Sequence, residues 1–272
     1  MSQFVKQKAF GQNFLVNDSI IGRIIDSIDH SLSQYPVKQM FEIGPGLGAL
    51  TRPWTERHPE LPLTLIEKDR EIAEKWKTTT IPQLTLRLED AVDTDYHSLF
   101  RSEPVGLFSN LPYSVGTRIF TKLAEHPHEI KFMVLMFQKE VAERILLKPK
   151  TVGSLGIWSQ NVWDIEKVLL VPPSAFKPKP KIDSLVIKCI PRPQARIPQT
   201  QSSEAHKKLW QDLLKLAFSH RRKMLRSIFN DHALWKSGLT DSKVPETLRA
   251  EALTWEHWSA LFQSCAKHWD LQ

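Results

Sequence analysis

Short apolar segments alternate with helical patterns between residues 39 and 138, and this alternation restricts the fold more than any other feature of the chain. Helical patterns over 69–77 and 117–126 separate some of these segments. Strands that alternate with helices form a parallel, doubly wound sheet. We therefore predict an α/β fold, with strands over residues 39–44, 63–67, 84–90, 105–108 and 131–137.

Polar groups follow the carboxyl ends of the first four predicted strands. They are the glycine-rich segment 44–48, Glu67, Asp90 and Asn110. Ligands of parallel sheets bind outside the carboxyl ends of the strands, where these ends meet at one edge. We therefore expect one ligand site, built from segments that lie far apart in the chain.

Glycines alternate with other residues after the first strand, in Glu42-Ile-Gly44-Pro-Gly46-Leu-Gly48. Glycine lets the backbone approach a ligand closely, although such a segment can also be a plain tight turn. The dinucleotide fingerprint is GxGxxG and has room for a pyrophosphate. Here the spacing is GxGxG and Pro45 removes one amide donor, which favours S-adenosylmethionine over a nicotinamide cofactor.

Acidic residues end the second and third strands. Glu67 is suited to accept hydrogen bonds from ribose hydroxyls, and Asp90 to accept one from the exocyclic amine of an adenine. Each has an alternative interpretation as a residue that caps the following helix. The order of loop, acid, acid and amide across four consecutive strands favours the ligand-binding interpretation.

The fourth strand ends in Asn110-Leu111-Pro112-Tyr113. The Asn110 side-chain oxygen and a backbone carbonyl near Leu111 or Pro112 can together accept both hydrogens of one amino group. Tyr113 offers a flat face on which a purine can stack. The alternative is a simple strand-ending turn, with asparagine and proline as breakers.

Positive charge is concentrated toward the C-terminus. The chain has 272 residues and a formal net charge of +7. Residues 1–190 contribute +2 of this charge and residues 191–272 contribute +5. We predict a domain over 1–190, a linker rich in Pro, Gln and Ser over 191–202, and a helical domain over 203–272 that binds an anionic partner, nucleic acid first.

The cysteines, the histidines and the apolar segments indicate whether the chain has disulfides, a metal centre or a membrane span. Cys189 and Cys265 lack metal-ligand spacing, so we expect reduced, packed thiols. The ten histidines are scattered, and we expect no metal centre. Residues 1–8 lack the apolar core of a signal peptide and no apolar run is long enough to cross a membrane, so we expect a cytoplasmic protein.

Several motifs together resemble the KsgA (RsmA) family of small-subunit rRNA adenine N6-dimethyltransferases, over about residues 6–265. The motifs are Phe10-Gly-Gln-Asn-Phe-Leu15, Glu42-Ile-Gly-Pro-Gly-Leu-Gly-Ala-Leu-Thr51, Asn110-Leu-Pro-Tyr113, Gln138-Lys-Glu-Val141, Val171-Pro-Pro-Ser-Ala-Phe176, Pro178-Lys-Pro-Lys-Ile-Asp-Ser184 and Arg221-Arg-Lys223. The resemblance implies a Rossmann-like class I methyltransferase domain with a smaller C-terminal helical domain. It also implies dimethylation of two adjacent adenosines near the 3′ end of 16S rRNA, on the small ribosomal subunit, by a protein that we expect to be a monomer.

The resemblance also assigns roles to individual residues. The residues expected to line the S-adenosylmethionine pocket are Asn13, Leu15, Gly44, Glu67, Asp90 and Asn110. The target adenine is expected to lie against Asn110, Leu111, Pro112 and Tyr113, with Phe176, in a loop that reads as exposed, closing its other face. RNA is expected to contact Arg221, Arg222 and Lys223.

The chain departs from the family pattern at two places: Ser114 stands where an asparagine is common, and the segment 153–156 lacks a frequent arginine. Two alternatives share the fold. One is an erythromycin-resistance methylase that acts on large-subunit rRNA, and the other is a ribosome-assembly or transcription-factor-like protein that binds RNA without turnover.

Overall fold

The computed structural model describes residues 13–100 and 103–270. The sequence also predicts an extended N-terminal arm over residues 4–15, and most of this segment lies outside the described residues. Contacts between Cα atoms divide the chain into two compact units. We call residues 1–142 with 164–191 the sheet unit, and residues 143–163 with 192–272 the helical unit.

The sheet unit contains the strands that surround the predicted site. The strands of the chain are β1 (Phe14–Leu15), β2 (Gln39–Ile43), β3 (Leu63–Glu67), β4 (Leu84–Leu88), β5 (Val105–Asn110), β6 (Ile130–Gln138), β7 (Trp163–Val171), β8 (Phe176–Lys177) and β9 (Ser184–Pro191). The helices up to the first unit boundary are α1 (Asp18–Gln34), α2 (Thr51–Arg57), α3 (Arg70–Lys77), α4 (Tyr96–Phe100), α5 (Gly116–Ala124) and α6 (Lys139–Ile145). The helix α6 continues past residue 142 into the helical unit.

Seven strands form one sheet in the order β4-β3-β2-β5-β6-β9-β7, and β1 pairs with β8 in a separate two-stranded sheet. The five strands from β4 to β6 are parallel to their neighbours, and β9 is antiparallel to β6. The predicted parallel α/β sheet is therefore confirmed. Glu42 of β2 lies opposite Phe108 of β5, so these neighbouring strands end at nearly the same level.

The helices pack on this sheet through apolar faces. In α1 the residues Ile24, Ile25 and Ile28 are buried, and their spacing places them on one helical face. The Asn17 side chain begins the helix, because its oxygen accepts a hydrogen bond from the Ile20 amide at 3.0 Å. In contrast, β6 is apolar on both faces, as expected for a central strand covered on both sides.

The helical unit has its own apolar core. Its helices beyond α6 are α7 (Ser154–Val162), α8 (Glu204–Ala217), α9 (Leu225–Phe229), α10 (Ala233–Ser242) and α11 (Trp255–Asp270). The Trp210 ring packs edge-to-face against Trp258 and Phe262, with centroid separations of 5.8 Å in both pairs. Cys265 in this core and Cys189 in the sheet are buried thiols without a disulfide, as predicted.

The unit boundaries differ from the predicted ones. Residues 143–163 belong with the helical unit, where Ile157 of α7 joins the apolar core. Residues 191–202 are not an extended linker, because Pro198–Gln201 form a 3-10 helix and Ile197 is fully buried. Asn161 holds this segment, since its side-chain oxygen accepts a bond from the Ile197 amide at 3.0 Å. The sequence pattern missed this packing because it depends on partners far away in the chain.

Among the helices of the described residues, none has both the length and the apolar character required to span a bilayer.

Candidate active site

A cavity of about 550 Å³ opens at the carboxyl ends of β2, β3 and β5, where the strand-end polar groups meet. Its wall includes five of the six residues predicted for a cofactor site, together with two further glycines of the loop after β2. The five are Asn13, Leu15, Gly44, Glu67 and Asn110, and the two glycines are Gly46 and Gly48. Leu111, Pro112 and Tyr113 also line it. The fold therefore brings together two segments of the predicted site, the glycine loop and the Asn110 motif, that are more than sixty residues apart.

The glycine loop that follows β2 has a backbone only glycine adopts readily. Gly44, Gly46 and Gly48 have φ values of +63°, +54° and +88°. A Cβ at Gly48 would lie 2.7 Å from the Trp76 ring. The Trp76 indole nitrogen donates a hydrogen bond to the Gly46 carbonyl at 3.0 Å. Trp76, which no sequence motif identified, thus fixes the path of the loop.

Glu42 is a buried acid in the cavity wall. It is 2% exposed, and its Oε2 accepts a hydrogen bond from the Thr51 hydroxyl at 2.6 Å. Burial raises the pKa of Glu42 to about 8, and the nearby Glu67 carboxylate acts in the same direction. Glu42 was absent from the predicted site residues, although a carboxylate inside an apolar strand is the signal that reveals it.

Glu67 is held at the end of β3 by backbone donors. Its Oε1 accepts a hydrogen bond from the Asp69 amide at 2.8 Å, and its Oε2 accepts one from Gly46 at 3.4 Å. Burial raises the pKa of Glu67 as well, although these two bonds oppose the shift. A ligand that carries positive charge would favour the ionised forms of both Glu42 and Glu67 at this end of the cavity.

Two arginines also reach the cavity wall, and both have partners. The Arg57 guanidinium forms ion pairs with Asp26 at 2.8 Å and with Asp29 at 2.6 Å. The Arg52 guanidinium lies over the Trp76 ring, 5.4 Å from its centroid. Their charges are therefore partly balanced by groups other than Glu42 and Glu67.

The end of β5 fixes the Asn110 side chain. The Ser109 hydroxyl donates to the Ile43 carbonyl at 2.6 Å and so ties β5 to β2. The Asn110 Nδ2 donates to the Asn13 carbonyl at 3.4 Å. This bond uses the amide nitrogen, which leaves Oδ1 as the group that can accept from a ligand.

The sequence predicts that a backbone carbonyl near Leu111 or Pro112 accepts a hydrogen bond from an amino group. The turn after Asn110 distinguishes between these two carbonyls. The Pro112 carbonyl accepts hydrogen bonds from the Val115 amide at 3.2 Å and from the Gly116 amide at 2.8 Å. These bonds begin α5. The Leu111 carbonyl accepts no backbone hydrogen bond from the described residues, so it is the better second acceptor for an amino group.

The Tyr113 ring is anchored at its far end. Its hydroxyl lies 2.6 Å from the Ser184 hydroxyl, and Ser184 is completely buried at the start of β9. Burial raises the pKa of Tyr113, so the phenol remains neutral at physiological pH. The ring thus lies at the cavity wall with its orientation set by a second strand.

Asp90 lies outside the residues that line the cavity. Its Oδ2 forms an ion pair with Lys68 at 2.5 Å, and its Oδ1 accepts a bond from the Val92 amide at 2.9 Å. The Lys68 hydrogen bond is the main cause that lowers the pKa of Asp90. Its predicted contact with an adenine stays a prediction.

Phe176 also lies outside the cavity wall, and it is not exposed as the sequence suggested. It is 2% exposed, because β8 pairs with β1 and places Phe176 opposite Leu15 within the apolar core. Its predicted stacking on the target base stays a prediction.

The predicted RNA-binding residues Arg221, Arg222 and Lys223 are exposed in the helical unit. They lie in the turn between α8 and α9. The Arg221 guanidinium donates to the Val152 carbonyl at 3.4 Å. Arg222 and Lys223 extend the same exposed turn.

Comparison with known proteins identifies relatives across almost the whole chain. The model of the family described as "Ribosomal RNA adenine dimethylase" matches residues 3–267. A protein of Pseudoalteromonas translucida named "Ribosomal RNA small subunit methyltransferase A" is 38% identical over 91% of this chain and 90% of its own length. A protein of the same name from Pectobacterium atrosepticum is 36% identical over 96% of this chain and 94% of its own.

Solved structures show the same fold. A dimethyladenosine transferase from Plasmodium falciparum has a TM-score of 0.69 and 25% identity, over 93% of this chain and 98% of its own. The 23S rRNA methyltransferase ErmE has a TM-score of 0.67 and 21% identity, over 93% of this chain and all of its own. At that identity, ErmE is similar in fold alone.

Proposed function

We propose, from the premise that this chain belongs to the ribosomal RNA adenine dimethylase family, that it dimethylates N6 of two adjacent adenosines near the 3′ end of small-subunit (16S) rRNA. The chain is an S-adenosylmethionine-dependent rRNA adenine methyltransferase. Relatives named for the small subunit support the choice of substrate. We expect it to act as a cytoplasmic monomer on the small ribosomal subunit.

The cavity at the carboxyl ends of the strands fits the cofactor. S-adenosylmethionine carries a sulfonium and an ammonium, and it supplies an activated methyl group when bound. Glu67 retains lone pairs for hydroxyl donors, and Glu42, which is mostly protonated at neutral pH, can ionise when a positive charge binds beside it. The glycine loop allows close approach, and Asn13 and Leu15 also line the cavity. We infer that these residues hold the cofactor.

The single observation that carries the proposed chemistry is the pair of acceptors at the end of β5. The amine of adenine is a poor nucleophile, because its lone pair is delocalised into the ring. Asn110 Oδ1 and the Leu111 carbonyl together can accept both amine hydrogens, which favours a pyramidal, more nucleophilic nitrogen. This chain therefore contributes mainly positioning and electrostatic stabilisation, without a strong base.

Tyr113 gives the target base a surface on which to stack. The bond to Ser184 fixes the ring, so little conformational freedom is lost when a base packs against it. Stacking of one base on an aromatic ring contributes about 1–3 kcal/mol. Arg221, Arg222 and Lys223 of the helical unit supply phosphate contacts, which do not depend on base sequence.

Methyl transfer to ribosomal subunits from an unmethylated strain tests this proposal. Purified small and large subunits are incubated separately with the enzyme and a cofactor labelled in its methyl group, and the modified positions are mapped. We expect two dimethylated adenosines in small-subunit rRNA and none in the large subunit. Methylation of large-subunit rRNA instead identifies an enzyme of the erythromycin-resistance type, and binding without transfer identifies a non-catalytic RNA-binding protein.

A further inference from the structure

We propose that His97, His126 and Glu129 form a binding site for a divalent transition-metal ion, of which Zn²⁺ is the best match. Each residue offers one ligand atom, and the three atoms lie within 4.8 Å of one another. The scattered spacing of the histidines in the sequence predicts no metal centre. It missed this group because His97 lies on α4, whereas His126 and Glu129 lie in the turn between α5 and β6.

The site is separate from the proposed active site. The turn that carries His126 and Glu129 leads directly into β6, at the amino end of that strand. The cavity, in contrast, lies at the carboxyl ends of the parallel strands, and its lining includes none of the three residues. A metal ion here would therefore have no part in methyl transfer.

The geometry of His126 and Glu129 fits chelation better than a direct hydrogen bond. His126 Nδ1 and Glu129 Oε2 are 3.8 Å apart, too far for a hydrogen bond. Two ligands at the usual Zn–N and Zn–O distances, on a tetrahedral ion, lie about 3.4 Å apart. A shift of a few tenths of an ångström therefore brings both atoms into a shared coordination shell.

The His126 ring is held in place before any ion binds. It packs edge-to-face on Phe100, with centroids 5.5 Å apart, and also contacts Tyr96 at 6.3 Å. Both aromatic residues are buried, and the Tyr96 hydroxyl donates to the Ala91 carbonyl at 2.8 Å. A preorganised ligand loses less conformational entropy when it binds.

The ligand set selects the class of ion. Two imidazoles and a carboxylate suit Zn²⁺ and related borderline ions, whereas Mg²⁺ and Ca²⁺ prefer oxygen ligands alone. Three protein ligands leave a fourth position for water. Because His97 is exposed, that position can face solvent. The ion would join α4 to the turn before β6, and so link two segments that are distant in sequence.

Calorimetric titration with ZnCl₂ tests the site on the full-length protein after dialysis against a chelator. We expect one Zn²⁺ per chain and a rise in melting temperature. His97→Ala removes an exposed ligand without disturbing the core, and Glu129→Gln removes the carboxylate while it keeps the shape. Each should weaken binding by about tenfold or more, since loss of an outer-shell partner alone costs 10–100-fold.

His128→Ala is the matched control, because His128 is an exposed histidine in the same turn and is not one of the three ligands. This variant should bind Zn²⁺ as the wild type does. The proposal is overturned if the wild type binds no Zn²⁺, if His97→Ala and Glu129→Gln bind it as tightly as the wild type, or if His128→Ala loses as much affinity as they do.

Discussion

In the sheet unit, three polar groups of the cavity wall are buried or half-buried and are held by specific partners, whereas the basic residues of the turn between α8 and α9 are exposed. Glu42, Glu67 and Asn110 each bond to a defined group. Arg222 and Lys223 extend into solvent from a turn. A buried polar group depends strongly on its partner, while an exposed charge contributes little individually. Substitutions in the two units should therefore differ in both size and kind.

The largest expected effect concerns the pH dependence of stability at Glu42. Burial raises the pKa of Glu42 in the folded protein to about 8, above its ordinary value of 4.5. Its contribution to stability is therefore fully present below pH 4.5 and is lost as the pH rises through 8. Relative to Glu42→Gln, the wild type should lose up to about 5 kcal/mol of unfolding free energy across this range.

Urea unfolding of both proteins at pH 5, 7 and 9 measures this difference. If the difference in unfolding free energy between the wild type and Glu42→Gln does not change between pH 5 and pH 9, Glu42 has an ordinary pKa. The largest expected difference between the two units would then be absent.

The next largest effect is a difference between Phe176 and Tyr113, two aromatic residues of the sheet unit. We expect substitution of Phe176 to affect mainly stability, and substitution of Tyr113 to affect mainly function. Phe176→Ala should lower the free energy of unfolding by about 3–5 kcal/mol, because the ring is buried in the core. Tyr113→Ala should cost less stability, since the ring is only partly buried, but should weaken RNA binding and turnover. Thermal unfolding, RNA affinity and turnover of both variants are compared. Normal stability with reduced RNA affinity in Phe176→Ala would restore its predicted role beside the base.

Glu67→Ala should weaken S-adenosylmethionine binding by about 1.5–3 kcal/mol, because it removes charge-assisted hydrogen bonds. RNA affinity should remain nearly unchanged. Glu74→Ala is the matched control, since Glu74 is exposed on α3 and forms only a surface ion pair with Lys77. Isothermal calorimetry measures the affinity of both variants for S-adenosylmethionine. Equal affinity of Glu67→Ala and the wild type would show that Glu67 does not bind the cofactor.

The smallest effect for each residue is expected in the helical unit. Alanine at Arg221, Arg222 and Lys223 should weaken RNA binding and lower the slope of log affinity against log salt by about one unit, or slightly less, for each lost phosphate contact. The control is a triple alanine variant of Lys215, Lys236 and Lys267, which removes the same charge from separate exposed positions. If both triple variants show the same RNA affinity and the same salt dependence, the net charge of the protein, and not the turn between α8 and α9, governs RNA binding.

The sequence predicted the parallel sheet and most of the strand-end site because both depend on local patterns. The apolar segments, the glycine spacing and the Asn110 motif are all visible within a few residues. The burial of Phe176 was not visible, because it depends on pairing between β8 and β1, more than a hundred residues apart.

Contacts between residues distant in the chain also explain the other features that the sequence did not predict. The role of Trp76 depends on a hydrogen bond to a loop thirty residues earlier. The inclusion of 143–163 in the helical unit depends on contacts with residues 192–272. In contrast, the choice of Leu111 over Pro112 as acceptor needed only the backbone hydrogen bonds of one turn.

We propose that the sheet unit performs the chemistry and that the helical unit supplies phosphate contacts. Steady-state methylation of small subunits by Asn110→Ala and by the triple variant of Arg221, Arg222 and Lys223 tests it most directly. We expect Asn110→Ala to lower kcat by about 100-fold with little change in KM, as for loss of one preorganised group that acts in the transition state. The triple variant should raise KM and leave kcat nearly intact. Full turnover by Asn110→Ala, or a loss confined to kcat in the triple variant, would contradict the claim.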